Sequence, residues 1–212
     1  MYAQIAEYGY AWALYHAGKY EEALAVQKAF LDARPESPHR PGMLYLRGNC
    51  LQQQRKYKEA LAVYSELREA HPDSEFATRA QYKTAWVLQQ QGASEEAKQT
   101  VTAFLQEHRE SPLVGDAAFL LGTILVSEGN YEDAQQEFRL VAEKYPDSEF
   151  GPEALFKSAE CLAQLGMTEL AAGNFNTFVE RYPEHPLTPQ AILRGGDAEF
   201  HAKAFEQAVA KY

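Results

Sequence analysis

The stretch KYEEALAV at residues 19–26 returns as KYKEALAV at 56–63, and again in altered form as ASEEAKQT at 93–100, NYEDAQQE at 130–137, MTELAAGN at 167–174 and AFEQAVAK at 204–211. The central alanines are Ala23, Ala60, Ala97, Ala134, Ala171 and Ala208, each 37 residues after the last. Five steps without an insertion or deletion mark a chain built by stacking copies of one unit.

Other columns keep the same period. Twelve residues before each alanine stands Ala11, Gly48, Ala85, Gly122, Ala159 or Gly196, all tiny. Nine before it stands Leu14, Leu51, Leu88, Leu125 or Leu162, and only the last repeat departs, with Glu199. Seven after it comes Phe30, Leu67, Phe104, Val141 or Phe178, and twelve after it Pro35, Pro72, Arg109, Pro146 or Pro183. Apolar residues thus recur at three- and four-residue spacing, so each half-repeat is an amphipathic helix. Tiny residues on the first helix (A) and alanine on the second (B) let the two backbones approach. Gly18, Gly92, Gly129 and Gly166 supply stops between them, and the proline column forbids continuation after helix B. The pattern predicts A helices near 3–17, 41–54, 76–91, 113–128, 150–165 and 188–202. It predicts B helices near 20–33, 57–70, 94–108, 131–144, 168–181 and 205–212. The fold class is all-α.

This small–Leu–small–Ala–Pro pattern resembles the tetratricopeptide repeat (TPR) family over essentially the whole chain. The usual repeat has about 34 residues. Here the three extra residues follow the proline, in PESPHR, PDSEFA, RESPLV, PDSEFG and PEHPLT. That longer form looks like bacterial cell-envelope TPR proteins, the Tol–Pal and β-barrel-assembly types among them. The resemblance implies a right-handed superhelical solenoid over 1–212, with five full repeats and a truncated sixth (about 3–38, 39–75, 76–112, 113–149, 150–186 and 187–212). It implies A helices on the concave side and B helices on the convex side. Tyr212 falls inside a repeat, so the chain reads as an excerpt of something longer.

The formal net charge of -10, with no clustered basic face, disfavours nucleic acid and anionic membrane surfaces. No run approaches the ~20 apolar residues of a membrane span. Cys50 and Cys161 hold one repeat position three repeats apart, too far for a disulfide, so two buried thiols are expected. The histidines show no metal-ligand spacing. Acidic residues such as Glu21, Glu95 and Glu132 complement B-helix dipoles. No nucleophile elbow, phosphate loop or dinucleotide turn occurs. Nothing points to an enzyme, a metal or a cofactor.

By register, the A-helix columns facing the groove carry Tyr8, Tyr45, Tyr82, Phe119 and Phe156; then Trp12, Asn49 and Trp86; then Tyr15, Gln52 and Gln89. Two readings compete for the first column. It lines a peptide groove, or it packs between adjacent A helices and closes the groove. Trp12, Asn49, Trp86 and Gln89 break the repeat and are the better candidates for ligand contact. Arg79, Lys83 and Asn49 are only fragments of the carboxylate clamp used by some TPR domains. The expected function is an interaction scaffold for a protein or peptide. By resemblance it sits in the periplasm or cell envelope, the alternative being the cytoplasm. A spacer or self-association module is the rival function, with end-to-end packing expected through the open C-terminal repeat.

Overall fold

The computed structural model describes the backbone of residues 2–209 and the side chains of residues 2–203. Its helices are α1 (Tyr2–His16), α2 (Tyr20–Ala33), α3 (Arg40–Gln53), α4 (Tyr57–Ala70), α5 (Glu75–Gln91), α6 (Ser94–Glu107), α7 (Val114–Ser127), α8 (Tyr131–Lys144), α9 (Gly151–Gln164), α10 (Thr168–Arg181) and α11 (Thr188–Val209). No strand occurs among the described residues. The contacts group into two compact units, Met1–His108 and Arg109–Tyr212.

In the first unit each helix packs on the next, and the A helices α1, α3 and α5 also lie side by side. In the second unit α7 to α11 follow the same order, with α7 against α9. The repeat columns form the interior. Ala23, Ala60, Ala97, Ala134 and Ala171 are fully buried, as are Leu67, Phe104, Val141 and Phe178. Ala208 lies outside the described side chains.

The turn between A and B helices is built the same way each time. Gly18, Gly92, Gly129 and Gly166 sit at φ between +74° and +82°. In the first turn Gly18 N–H donates to Tyr15 O at 2.9 Å, and Lys19 N–H donates to Leu14 O at 2.9 Å. Leu51, Leu88, Leu125 and Leu162 accept the matching bond in the later turns. This paired bonding satisfies the carbonyls a helix end leaves open. The leucine column therefore marks the same last-turn position in every repeat. Arg55 takes the glycine place in the second repeat, at φ 58°.

The sixth repeat departs from expectation. A turn near 203 and a B helix from 205 were expected, yet α11 runs unbroken to Val209. The physical reason stands in the columns: Glu199 replaces the leucine and Lys203 the glycine, so neither half of the stop signal is present. Gly196 was expected to be a close-packing site, but nothing approaches within 4 Å of where its Cβ would lie. Its neighbour Gly195 takes that part, with a Cβ there 3.2 Å from Phe175 Cβ.

Candidate peptide-binding wall

The A helices present the sequence-derived columns as a graded surface. The first column runs inward. Tyr45, Tyr82, Phe119 and Phe156 are 8%, 5%, 4% and 2% exposed, while Tyr8 is half-buried. The Tyr45 ring lies 5.6 Å from Phe76 and Phe119 stacks on Phe150 at 4.5 Å. Phe156 meets Phe175 edge-on at 5.4 Å. These four residues are wall structure, and the expectation that they present their rings to a ligand is corrected. On α3, α5, α7 and α9 the repeated ring is buried by its neighbours because adjacent elements offer the same apolar seat.

Asn49 is corrected likewise. It is 6% exposed, and its Oδ1 accepts from Tyr64 Oη at 2.7 Å. Tyr64 fills the space left by Gly48, where a Cβ would lie 2.2 Å from Tyr64 Cε1. Burial pushes the Tyr64 phenol well above its ordinary pKa. Burial also pushes Tyr45 up, against the opposing effect of its hydrogen bond to Asn49.

Six candidates remain half-buried and reach the surface of the first unit: Tyr8, Trp12, Tyr15, Gln52, Trp86 and Gln89. On α1, Trp12 meets Tyr8 edge-on at 6.3 Å and Tyr15 edge-on at 6.2 Å, and stacks on His16 at 5.8 Å. Tyr8 stacks on His39 at 5.1 Å and fills the space over Gly42. On α5, Trp86 Nε1 donates to Tyr82 Oη. Between them, Gln52 Nε2 donates to Gln90 Oε1 at 3.3 Å. Such surfaces hold large flat contact area with few rotatable bonds, interleaved with amides. The clamp fragments are committed elsewhere: Arg79 pairs with Glu75 at 3.5 Å, and Lys83 lies 5.6 Å from the Tyr82 ring centroid.

In the second unit, a cleft of about 180 Å³ is lined by Val126, Tyr131, Lys157, Glu160, Cys161, Gln164 and Arg194. Glu160 binds Lys157 Nζ at 2.9 Å and Arg194 Nη1 at 2.9 Å. This cluster was missed from sequence, although a basic residue recurs fourteen before the alanine at Lys83, Lys157 and Arg194. The thiols are free and buried, as expected. Burial raises Cys50, which receives a weak bond from Gln27 Nε2 at 3.5 Å. Among the described residues no group of three or more His, Cys, Asp or Glu could hold a metal ion, and no helix is long and apolar enough to cross a membrane.

Known proteins share this architecture. A Parabacteroides merdae tetratricopeptide repeat protein superposes with TM-score 0.72 at 20% identity, over 99% of this chain and 77% of that one. PilF of Pseudomonas aeruginosa gives 0.75 at 18%, over 96% and 85%. YrrB, a TPR protein with an unusual peptide-binding site, gives 0.62 at 20%, over 87% and 89%. No curated protein sequence matches the chain. The family of anaphase-promoting complex (cyclosome) subunit 3 matches residues 4–67. The family described as YfiO, outer membrane lipoprotein, matches residues 51–175, more than half of the chain. With its A–B helix pairs, stop-signal turns and tiny-residue crossings, the chain is a tetratricopeptide repeat protein and belongs to the YfiO outer membrane lipoprotein family.

Proposed function

We propose that this protein is a non-catalytic interaction scaffold of the bacterial cell envelope, holding a segment of a partner protein on the A-helix wall of its first unit. The observation that carries this reading is the half-exposed row Tyr8, Trp12, Tyr15, Gln52, Trp86 and Gln89 on three adjacent A helices. Large aromatics left at a surface are the residues that dominate protein recognition. The peptide-binding site of the similar YrrB fold supports the mode, and the YfiO family supports the envelope setting.

Both tryptophans of the chain lie on this wall. Intrinsic fluorescence therefore reads it directly. Titration with envelope-protein peptides is expected to shift the emission, and Trp86→Ala to weaken binding about tenfold, near the 1–2 kcal/mol of an interface anchor. An emission unchanged across such peptides would remove the reading.

α11 favours a second reading. Ile192, Leu193 and Phe200 are 60%, 66% and 69% exposed, although the Leu193 position is buried in four other repeats. A second copy laid on that face is expected to give a sedimentation coefficient that rises with concentration. Leu193→Asp should flatten the rise; a constant value in the parent chain excludes self-association there.

A further inference from the structure

On the B-helix side of the first unit, two successive grooves stand in the same register and can be compared position by position. The first is spanned by Arg40 at the start of α3, which reaches both α2 and α4. Arg40 Nη1 donates to the Leu31 carbonyl at 3.1 Å, and its Nη2 donates to Glu66 Oε1 at 3.3 Å. Lys28 Nζ donates to Asp32 in the same place. Asp32 is held below the usual carboxylate range, by the Lys28 bond first and by the Arg47 and Arg40 charges after it. The carboxylates of this groove are thus met by cations of the chain itself.

The second groove lies one period on, over the start of α5 between α4 and the end of α6, with a volume of about 360 Å³. Its cations are replaced: Ser65 holds the place of Lys28, Ala77 that of Arg40 and Thr84 that of Arg47. The acidic side is kept. Glu69 follows Asp32, and Glu107 stands one helical turn beyond Ala103, the position of Glu66. Neutral donors now serve these carboxylates. Glu69 accepts from Ser65 Oγ at 2.8 Å, and Glu107 accepts from Gln81 Nε2 at 2.9 Å. His108, 4.0 Å from Glu107, meets Gln81 Oε1 at 3.0 Å. An ionised carboxylate accepts about four bonds, so each keeps most of its capacity. Glu69 is exposed and the Glu107 side chain is 59% exposed, so both are within reach of a partner. Arg68 is the one lysine or arginine lining the groove, and it too is exposed, which leaves two carboxylates to one cation. A guanidinium suits this arrangement, because its flat fork of donors serves acceptors on two sides. Pro72 and Ala77 give its methylene stem apolar surface to lie on.

We infer that this groove takes an arginine side chain from a partner protein, its guanidinium bonded by Glu69 and Glu107 where the preceding groove is closed by the chain's own Arg40. The surface is separate from the A-helix wall, so Trp86→Ala should leave this binding unchanged, and its failure would not touch the reading of the wall. The probes are labelled glycine–serine peptides carrying arginine, lysine or citrulline at the same positions, titrated against the full chain by fluorescence anisotropy at low ionic strength. The arginine peptide should bind. Lysine, a point charge, should bind about threefold more weakly, and citrulline, the uncharged isostere, about tenfold more weakly. Glu69→Gln combined with Glu107→Gln should weaken the arginine peptide about tenfold. Glu95→Gln combined with Glu96→Gln makes the same charge change elsewhere on the first unit and should weaken it less than about twofold. Ala77→Arg supplies the guanidinium from within and should abolish peptide binding while circular dichroism shows its helices intact. No binding of the arginine peptide, equal binding of arginine and lysine, or equal losses in the two double variants overturns the assignment, the last two marking bulk attraction to an acidic chain. Binding that survives Ala77→Arg overturns it as well. Displacement by calcium chloride but not by sodium chloride of equal ionic strength would make the site a divalent-cation site instead. A sedimentation coefficient that rises with concentration and is flattened by the Glu69/Glu107 double variant would make the guest a second copy, against a different partner protein.

Discussion

Arg55 stands at φ 58°, in the turn position that glycine holds in four other repeats. A side chain in the left-handed region costs roughly 1–2 kcal/mol, partly recovered because glycine loses more freedom on folding. Arg55→Gly is therefore expected to stabilise the chain by about 0.5–1 kcal/mol, read as a higher urea midpoint at unchanged slope. Cys161 gives a second test. Burial chiefly, with the nearby Glu160 charge, raises its thiol from 9.0 to about 11. The unfolded chain then ionises at lower pH than the folded one, so it holds fewer protons between those values. Stability should be undiminished by this group below pH 9, and fall as pH rises from 9 to about 11. Cys161→Ala should flatten that part of the urea-midpoint profile; an identical slope in the variant refutes the assignment. That both cysteines are buried was legible from their shared repeat position. The Arg55 strain was legible only as a gap in the glycine column, since one missing glycine does not reveal whether the turn changes or the residue yields.

At the scale of elements, the period carried nearly everything. The ten helices of the first five A–B pairs begin and end within about a residue of where spacing, glycines and prolines put them. What failed is α11, where the period continues but the stop signal does not. The glycine column divides along the same line. A Cβ at Gly122 would lie 2.7 Å from the Phe138 ring, and one at Gly48 still closer to Tyr64, whereas Gly196 faces open space. Gly122→Ala should cost about 1–3 kcal/mol through overpacking. Gly196→Ala should raise stability by up to about 1 kcal/mol, because only helix propensity acts there. Thermal unfolding of the two variants side by side checks the contrast, and equal shifts of one sign would mean that the column's role is the same in both repeats.

For the molecule as a whole, periodicity reveals which residues share a face but not how deep that face lies. Tyr8 and Tyr45 belong to one column, yet the first is half-buried and the second buried, with α3 packed between α1 and α5. The aromatic ladder was therefore visible in sequence while its closure was not. Of the four residues that break the repeat, Trp12, Trp86 and Gln89 reach the surface, as do Tyr8, Tyr15 and Gln52, whereas Asn49 is buried. The same neighbour logic governs stability, since each helix in the second unit leans chiefly on the ones beside it in sequence. Phe138 is fully buried on α8, with its ring 5.3 Å from Phe119 on α7. Phe138→Ala should cost about 3–5 kcal/mol. In a globular core that loss would spread evenly over the fold. Here amide hydrogen exchange should quicken most in α7, α8 and α9, which α8 touches, and less in α10 and α11. A uniform loss of protection from α7 to α11 would show that the second unit opens only as a block, and that its repeats do not act as separable neighbours.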